Sequence, residues 1–168
     1  LGESIPITMD GFRNSGTDVV VPIGITDDPS NQNQYIETYN PSQENFYILG
    51  SSQSGKTNLV QTIIRGLAEN YSPHDVNIYI IDFASMILRN YADLNHVGGV
   101  ITPSDDDKLN VFMKFIIETI QTRKKLLAKM GLSSYSAYRE TGRSEIPQIV
   151  VVLENWVAFR SYFPDYED

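Results

Sequence analysis

A glycine-rich segment between an apolar run and a helical pattern contains the residues best suited to chemistry. Residues 50–57 match G-x-x-x-x-G-K-[ST] at every fixed position. Glycines let the backbone curl so that its N–H groups converge on phosphate oxygens, and the following helix directs its positive end at the same anion. Lys56 supplies a mobile charge for the β- and γ-phosphates, and the Thr57 hydroxyl is a magnesium ligand. The predicted nucleotide-binding residues are Gly50, Ser51, Ser52, Gln53, Ser54, Gly55, Lys56, Thr57 and Asn58.

A phosphate loop of this kind also needs an acidic side chain at the end of a neighbouring strand, where it holds magnesium through water. Asp82 and Glu154 each follow an apolar run. Glu154 lies about 100 residues beyond Lys56, a usual separation for this partner, so we prefer it as the catalytic acid and water-mediated metal ligand. Asn155 stands where a catalytic carboxylate is expected. Because an amide can orient water but cannot accept its proton, we expect slow hydrolysis.

The flanking segments predict an α/β fold in which strands and helices alternate. This alternation favours a mostly parallel sheet with helices on both faces. The runs at 46–49, 76–82 and 149–153 are expected to lie side by side, and the last is expected to be buried, with no closing helix after it. Predicted strands lie at 46–49, 76–83, 97–101 and 149–153, and predicted helices run from Lys56 towards Pro73, from the cap Ser104 to Gly131, and from the cap Ser133 to about Thr141.

Length and patterning indicate one domain over residues 1–168. Residues 1–45 are turn-rich and β-like, with strand patterns at 19–25 and 35–39, so they predict a small N-terminal β segment. Residues 46–168 then form the core with the phosphate loop. Because no helical pattern follows the last strand, we expect the core to be C-terminally incomplete and cut from a larger protein.

Composition excludes several functional classes. Thirteen Lys and Arg residues stand against 21 Asp and Glu residues, and the net charge of −8 argues against a domain that coats nucleic acid. The absence of cysteine excludes disulfide frameworks, zinc knuckles and thiol catalysis. No apolar run approaches the roughly 20 residues of a membrane span, so we expect the chain as given to be soluble.

Five segments occur in the order seen in FtsK/SpoIIIE-type ATPase domains, and the chain resembles that family over nearly its whole length. They are GSSQSGKT, VNIYIIDF, YADLNHVGGVIT, QTRKKLLAKMGLSSYSAYRE and IVVVLENW. The leader PIGITDDPSNQNQ is most similar to the tandem ATPase domains of the EssC/EccC proteins, and IDFASMIL to the second domain of that array. The resemblance implies a RecA-like P-loop (Walker A) fold with ATP and Mg²⁺ as cofactors.

The resemblance also implies roles for individual residues. Glu154 falls where the family has a magnesium-associated Asp, and Asn155 where hydrolysing members have Glu. His96 lies in a segment that resembles the family's Leu-Pro-His-Val, and a structural role is preferred over a catalytic one. Arg123 and the adjacent lysines resemble a basic helix end, for which a solvated terminus and an intersubunit contact both stay open. The arginine that completes the site comes from a neighbour in this family.

The function implied by the resemblance is an ATP-binding, weakly or conditionally hydrolysing motor module of a type VII (WXG-type) secretion ATPase. Such a module is the cytoplasmic domain of a membrane-anchored bacterial protein linked to virulence. Its implied partners are neighbouring ATPase domains, secreted helical proteins and other secretion components, without DNA. Two alternatives stay open. The first is a DNA translocase domain of the FtsK class, which the negative net charge, the Glu154-Asn155 pair and the leader sequence disfavour. The second is a non-catalytic domain that holds ATP as a permanent structural ligand, and it overlaps with the secretion motor module.

Overall fold

The computed structural model describes residues 12, 14 and 16–163, so the two ends of the predicted domain lie outside the described residues. Its strands are β1 (Val21–Asp28), β2 (Asn33–Tyr39), β3 (Val76–Asp82), β4 (Val97–Ile101) and β5 (Gln148–Glu154). Its α-helices are α1 (Lys56–Asn70), α2 (Asp106–Lys129), α3 (Tyr135–Glu140) and α4 (Trp156–Tyr162), and a 3₁₀ helix spans Ile87–Tyr91. No helix among these residues is both long and apolar enough to cross a bilayer.

The predicted N-terminal β segment is an antiparallel hairpin of β1 and β2. Its strands pair from Val21 opposite Tyr39 to the turn after Asp28, with a bulge between Pro22 and Gly24. Val21 is fully buried, and β1 packs against α1. The hairpin is therefore anchored at its base to the helix that follows the phosphate loop.

A parallel three-stranded sheet in the order β4-β3-β5 forms the centre of the fold. The central strand β3 has apolar side chains on both sides, as its largely apolar sequence VNIYIID predicts. Ile78 and Ile80 pack with Ile64 and Leu67 of α1 in one cluster. Ile81 packs in a second cluster with residues of α2 and α4. The predicted parallel sheet between two helical layers is thus confirmed.

The prediction of a strand at 46–49 is wrong. Tyr47 and Leu49 are 81% and 91% exposed, Phe46 is 42% exposed and stacks on Tyr39, and Ile48 packs against the core. Tyr47 and Leu49 therefore gain little from burial that would offset the entropy of ordering an extended strand. As a consequence β5 is an edge strand rather than a buried one, and its Val151 is 45% exposed.

The chain does form a closing helix after β5, contrary to the sequence prediction. Helix α4 is only seven residues long and rich in aromatic and β-branched residues, which form helices weakly in isolation. It is stabilised by tertiary packing, since Phe159 is 5% exposed and lies edge-on against Phe83. The predicted helix caps Ser104 and Ser133 are each displaced by one residue, to Asp105 and Ser134.

Candidate functional site

The segment from Gly50 to Thr57 forms a tight loop that ends in the first turn of α1. Gly55 has φ 89°, a left-handed conformation that glycine adopts without strain. Gln53 is also left-handed, with φ 61°. A Cβ on Gly50 would lie 2.5 Å from the hydroxyl of Ser54, so that glycine allows the loop to close on itself. The pattern of fixed glycines in the sequence therefore corresponds to two real backbone constraints.

The start of α1 presents unsatisfied N–H groups beside this loop. The first hydrogen bond within the helix joins the N–H of Leu59 to the carbonyl of Gly55, at 3.0 Å. The N–H groups of Lys56, Thr57 and Asn58 consequently have no acceptor inside the helix. Together with the positive end of the helix dipole, they provide the donors that an anionic phosphate needs.

The ammonium group of Lys56 lies over the loop. Its Nζ donates hydrogen bonds to the carbonyl oxygens of Gly50 and Ser51, at 2.9 and 2.6 Å. In the described part of the chain no carboxylate forms an ion pair with Lys56. Its positive charge is therefore held at the loop without being neutralised there.

Glu154 connects the loop to the end of the parallel sheet. The Thr57 hydroxyl donates to Oε1 of Glu154 at 2.7 Å, and the Ser85 hydroxyl donates to Oε2 at 2.9 Å. Glu154 ends β5 and is partly buried. The structure thus brings the two predicted metal ligands together, although they are far apart in the sequence.

Asp82, the other candidate acid, serves a different purpose. It pairs in register with Glu154 across the two strands, but it is fully buried. Its carboxylate accepts three backbone N–H bonds: from Ala84 and Met86 of the loop after β3 at 3.2 Å, and from Leu88 of the following 3₁₀ helix at 3.1 Å. Both oxygens of Asp82 are therefore engaged away from the glycine-rich loop, whereas Glu154 contacts that loop through Thr57.

Asn155 acts as the N-terminal cap of α4. Its backbone is left-handed with φ 65°, a conformation that asparagine tolerates better than most residues. Its Oδ1 accepts the N–H of Ala158 at 3.1 Å. The amide at the position of the expected catalytic base is therefore engaged in holding a helix.

Two further residues singled out in the sequence lie away from the loop contacts. His96 is 9% exposed and its Nε2 lies 2.8 Å from the carbonyl oxygen of Tyr71, as a structural histidine would. Arg123 is partly buried in a groove of about 290 Å³ between α2 and β5, and burial lowers the pKa of its guanidinium. The adjacent Lys124 and Lys125 are exposed.

Sequence reasoning missed Ser85. It lies three residues beyond the end of β3, in the segment IDFASMIL, whose resemblance to the EssC/EccC domains indicates no role for a serine. Its position after β3 could have indicated that Ser85 lies near Glu154, because the carboxyl ends of adjacent parallel strands meet at one edge of a sheet.

Comparison with known proteins gives consistent matches. The profile of the FtsK/SpoIIIE family matches residues 13–161. The chain is 29% identical over 147 residues to the ESX secretion system protein EccC of Geobacillus thermodenitrificans, covering 87% of this chain and 10% of that protein. It is 26% identical over 150 residues to the type VII secretion system protein EssC of Staphylococcus aureus, again about a tenth of that protein.

Solved structures agree in fold. The structure of EssC ATPases 2 and 3 from Geobacillus thermodenitrificans matches with a TM-score of 0.81 at 28% identity, over 90% of this chain and 29% of that one. Thermomonospora curvata EccC ATPases 2 and 3, in complex with a signal sequence peptide, match with a TM-score of 0.78 at 26% identity, over 94% of this chain and 29% of that one. The expected RecA-like α/β fold and the resemblance to EssC/EccC domains are both confirmed.

Proposed function

Because the chain belongs to the FtsK/SpoIIIE family, we propose that it is an ATP- and Mg²⁺-binding module of a type VII secretion motor. Its homologues are the EssC/EccC secretion ATPases. The observation that carries the proposal is the 2.7 Å contact between Thr57 and Glu154, which joins the phosphate loop to a strand-end carboxylate. The chain spans about a tenth of these relatives' length, so the activity of the whole protein is part of the proposal.

The residues present fit a magnesium-nucleotide complex. Magnesium prefers oxygen ligands and is usually held by one or two protein groups together with substrate phosphates. No cluster of three or more acidic or histidine side chains in the described residues could hold a metal alone, and the hydroxyl of Thr57 beside Glu154 is the partial set expected for a shared site. When bound, the metal neutralises charge on the β- and γ-phosphates.

Each residue of the site then has a distinct task. Thr57 would ligate the metal through its hydroxyl, and Glu154 would hold it through water. Lys56 exchanges its two carbonyl acceptors for phosphate oxygens, which bind an ammonium more strongly because they are charged. The free N–H groups at the start of α1 complete the phosphate cradle.

Hydrolysis by the module alone is slow in this proposal. Asn155 has no basic oxygen that could accept a proton from water, and its Oδ1 is occupied by the cap of α4. The arginine that stabilises the transferring phosphoryl group comes from a neighbouring ATPase domain. Turnover therefore depends on contact between domains.

The parent protein is a membrane-anchored array of such domains, with this module on the cytoplasmic side. The solved relatives contain ATPases 2 and 3, which is consistent with placing this chain as the second domain. The neighbouring ATPase domains and secreted helical proteins are its proposed partners. A relative bound to a signal sequence peptide supports an export substrate.

Titration with a fluorescent ATP analogue tests the binding site. Lys56→Ala should weaken Mg·ATP affinity at least about tenfold, because it removes a charged contact to the phosphates. The matched control is Lys124→Ala, an exposed lysine of α2, which should bind as the wild type does. Equal affinity of the wild type and Lys56→Ala would contradict the proposal.

A domain that keeps ATP as a permanent structural ligand is the second candidate, favoured by the engaged amide of Asn155. Single-turnover measurements on the module and on the assembled array separate the two functions. A motor converts bound ATP to ADP when its neighbours are present. ATP that stays intact in the assembled array would establish the structural role instead.

A further inference from the structure

Glu154 receives hydrogen bonds on both carboxylate oxygens from hydroxyls of two different elements. Thr57, in the first turn of α1, donates to Oε1, and Ser85, in the loop after β3, donates to Oε2. The Ser85 hydroxyl also accepts the N–H of Ile87 at 3.3 Å. The carboxylate is therefore held between the phosphate loop and a second loop of the sheet edge.

The position of Ser85 is itself fixed by buried contacts. Asp82 accepts N–H bonds on both sides of Ser85, from Ala84 and Met86, and it is fully buried. The parallel register places Asp82 opposite Glu154. These contacts set the Ser85 hydroxyl at a defined distance from the end of β5.

One hydrogen bond does not fix the plane of a glutamate. The last torsion of a glutamate side chain is broad, so the contact with Thr57 alone leaves the carboxylate free to rotate. A second donor on the other oxygen removes that freedom. A threonine hydroxyl can donate its proton to Oε1 while its lone pairs face a metal, so both contacts are compatible with a bound ion.

We propose that Ser85 is a positioning residue of the magnesium site, which orients Glu154 towards the metal-bound water. The inference rests on the nucleotide function proposed above. It assigns to the loop after β3 a part in metal binding that the phosphate motif does not contain. Ser85 itself touches neither the metal nor the nucleotide.

The test compares nucleotide affinity with Mg²⁺ and with EDTA, using a fluorescent ATP analogue. Outer contacts of a metal site typically change metal affinity by 10- to 100-fold. Ser85→Ala should therefore reduce the gain in affinity produced by Mg²⁺ about tenfold, while affinity in EDTA stays within about twofold. Ser85→Thr, which keeps the hydroxyl, should retain the gain, and Ser144→Ala, an exposed serine, serves as the control.

Ser85→Cys keeps the shape of the side chain with a much weaker donor, so it should show the same loss even if Ser85→Ala folds poorly. A full Mg²⁺ gain in Ser85→Ala or Ser85→Cys, beside a wild type that shows the gain, would overturn the role of Ser85 alone. A wild type that binds no nucleotide would overturn the proposed function as well, so the two failures are distinguishable.

Discussion

Replacing Asp82 with Asn should destabilise the fold by about 2–4 kcal/mol, although the two side chains have the same shape. The wild-type carboxylate is fully buried and accepts three backbone N–H groups. Two of these bonds end on Oδ1, from Ala84 and Met86, and one ends on Oδ2, from Leu88. The three bonds hold the loop that carries Ser85.

The expected loss in the free energy of unfolding follows from the number of acceptor oxygens in each side chain. The single carbonyl oxygen of Asn can keep the two bonds from Ala84 and Met86, and its NH₂ group then faces the N–H of Leu88. One hydrogen bond to a charged group is lost, typically worth about 1.5–3 kcal/mol, and a buried donor is left without an acceptor, at about 1–3 kcal/mol. These two effects overlap, so their sum is an upper limit.

Urea denaturation followed by circular dichroism measures the change. Asp93→Asn is the matched control, because Asp93 is an exposed aspartate of the same region and should shift the free energy of unfolding by less than about 0.5 kcal/mol. If Asp82→Asn lies within about 0.5 kcal/mol of the wild type, the three bonds do not hold this loop. The assignment of Glu154 over Asp82 would then have to be reopened.

Three other perturbations give distinct outcomes. Asn155→Glu should lower the free energy of unfolding by about 1–2 kcal/mol in a thermal melt, since it removes a helix cap and places a long side chain at φ 65°. The same variant should restore little ATP hydrolysis in the isolated domain, because the arginine proposed to come from a neighbouring domain is missing. Fast turnover by the isolated variant would contradict this reasoning. Hydrogen bonds from Lys108 and Thr102 lower the pKa of Asp105 to about 2. Because the Lys108 side chain is 66% exposed, solvent screening limits the stabilisation to about 1 kcal/mol or less. It is present above pH 4 and lost as the pH falls through 2, so the difference in unfolding free energy between wild type and Asp105→Asn should shrink over that range, and a constant difference would refute it. Neutralising Lys124 and Lys125 should leave any weak DNA association little changed in a salt titration. A tight, salt-dependent complex with DNA that these changes abolish would instead favour the function of a DNA translocase.

The phosphate loop and the sheet were predictable because local rules dictate them. The spacing of Gly50, Gly55 and Lys56 is read directly from the sequence. In the structure Gly55 has a positive φ and Gly50 leaves no room for a Cβ, as the two fixed glycines predict. The largely apolar sequence of β3 predicts a central parallel strand, and β3 is the central strand of the described sheet. Both inferences need only neighbouring residues and general geometry.

The failures arose where tertiary contacts decide the outcome. The run at 46–49 is apolar enough for a strand, yet the side chains of Tyr47 and Leu49 find no covering layer among the described residues. Helix α4 is too short and aromatic to be predicted locally, and its packing on Phe83 stabilises it. The role proposed for Ser85 depends on the register of β3 and β5 rather than on its neighbours in sequence, so the segment IDFASMIL alone did not indicate it.

The most direct test of the central claim is a crystal structure of this chain with Mg²⁺ and a non-hydrolysable ATP analogue. We expect phosphate oxygens in the loop at residues 50–57, the metal bound to the Thr57 hydroxyl, and Glu154 one water molecule away from the metal. Nucleotide bound elsewhere on the fold would contradict the account, and so would a metal held by Asp82 instead of Thr57 and Glu154.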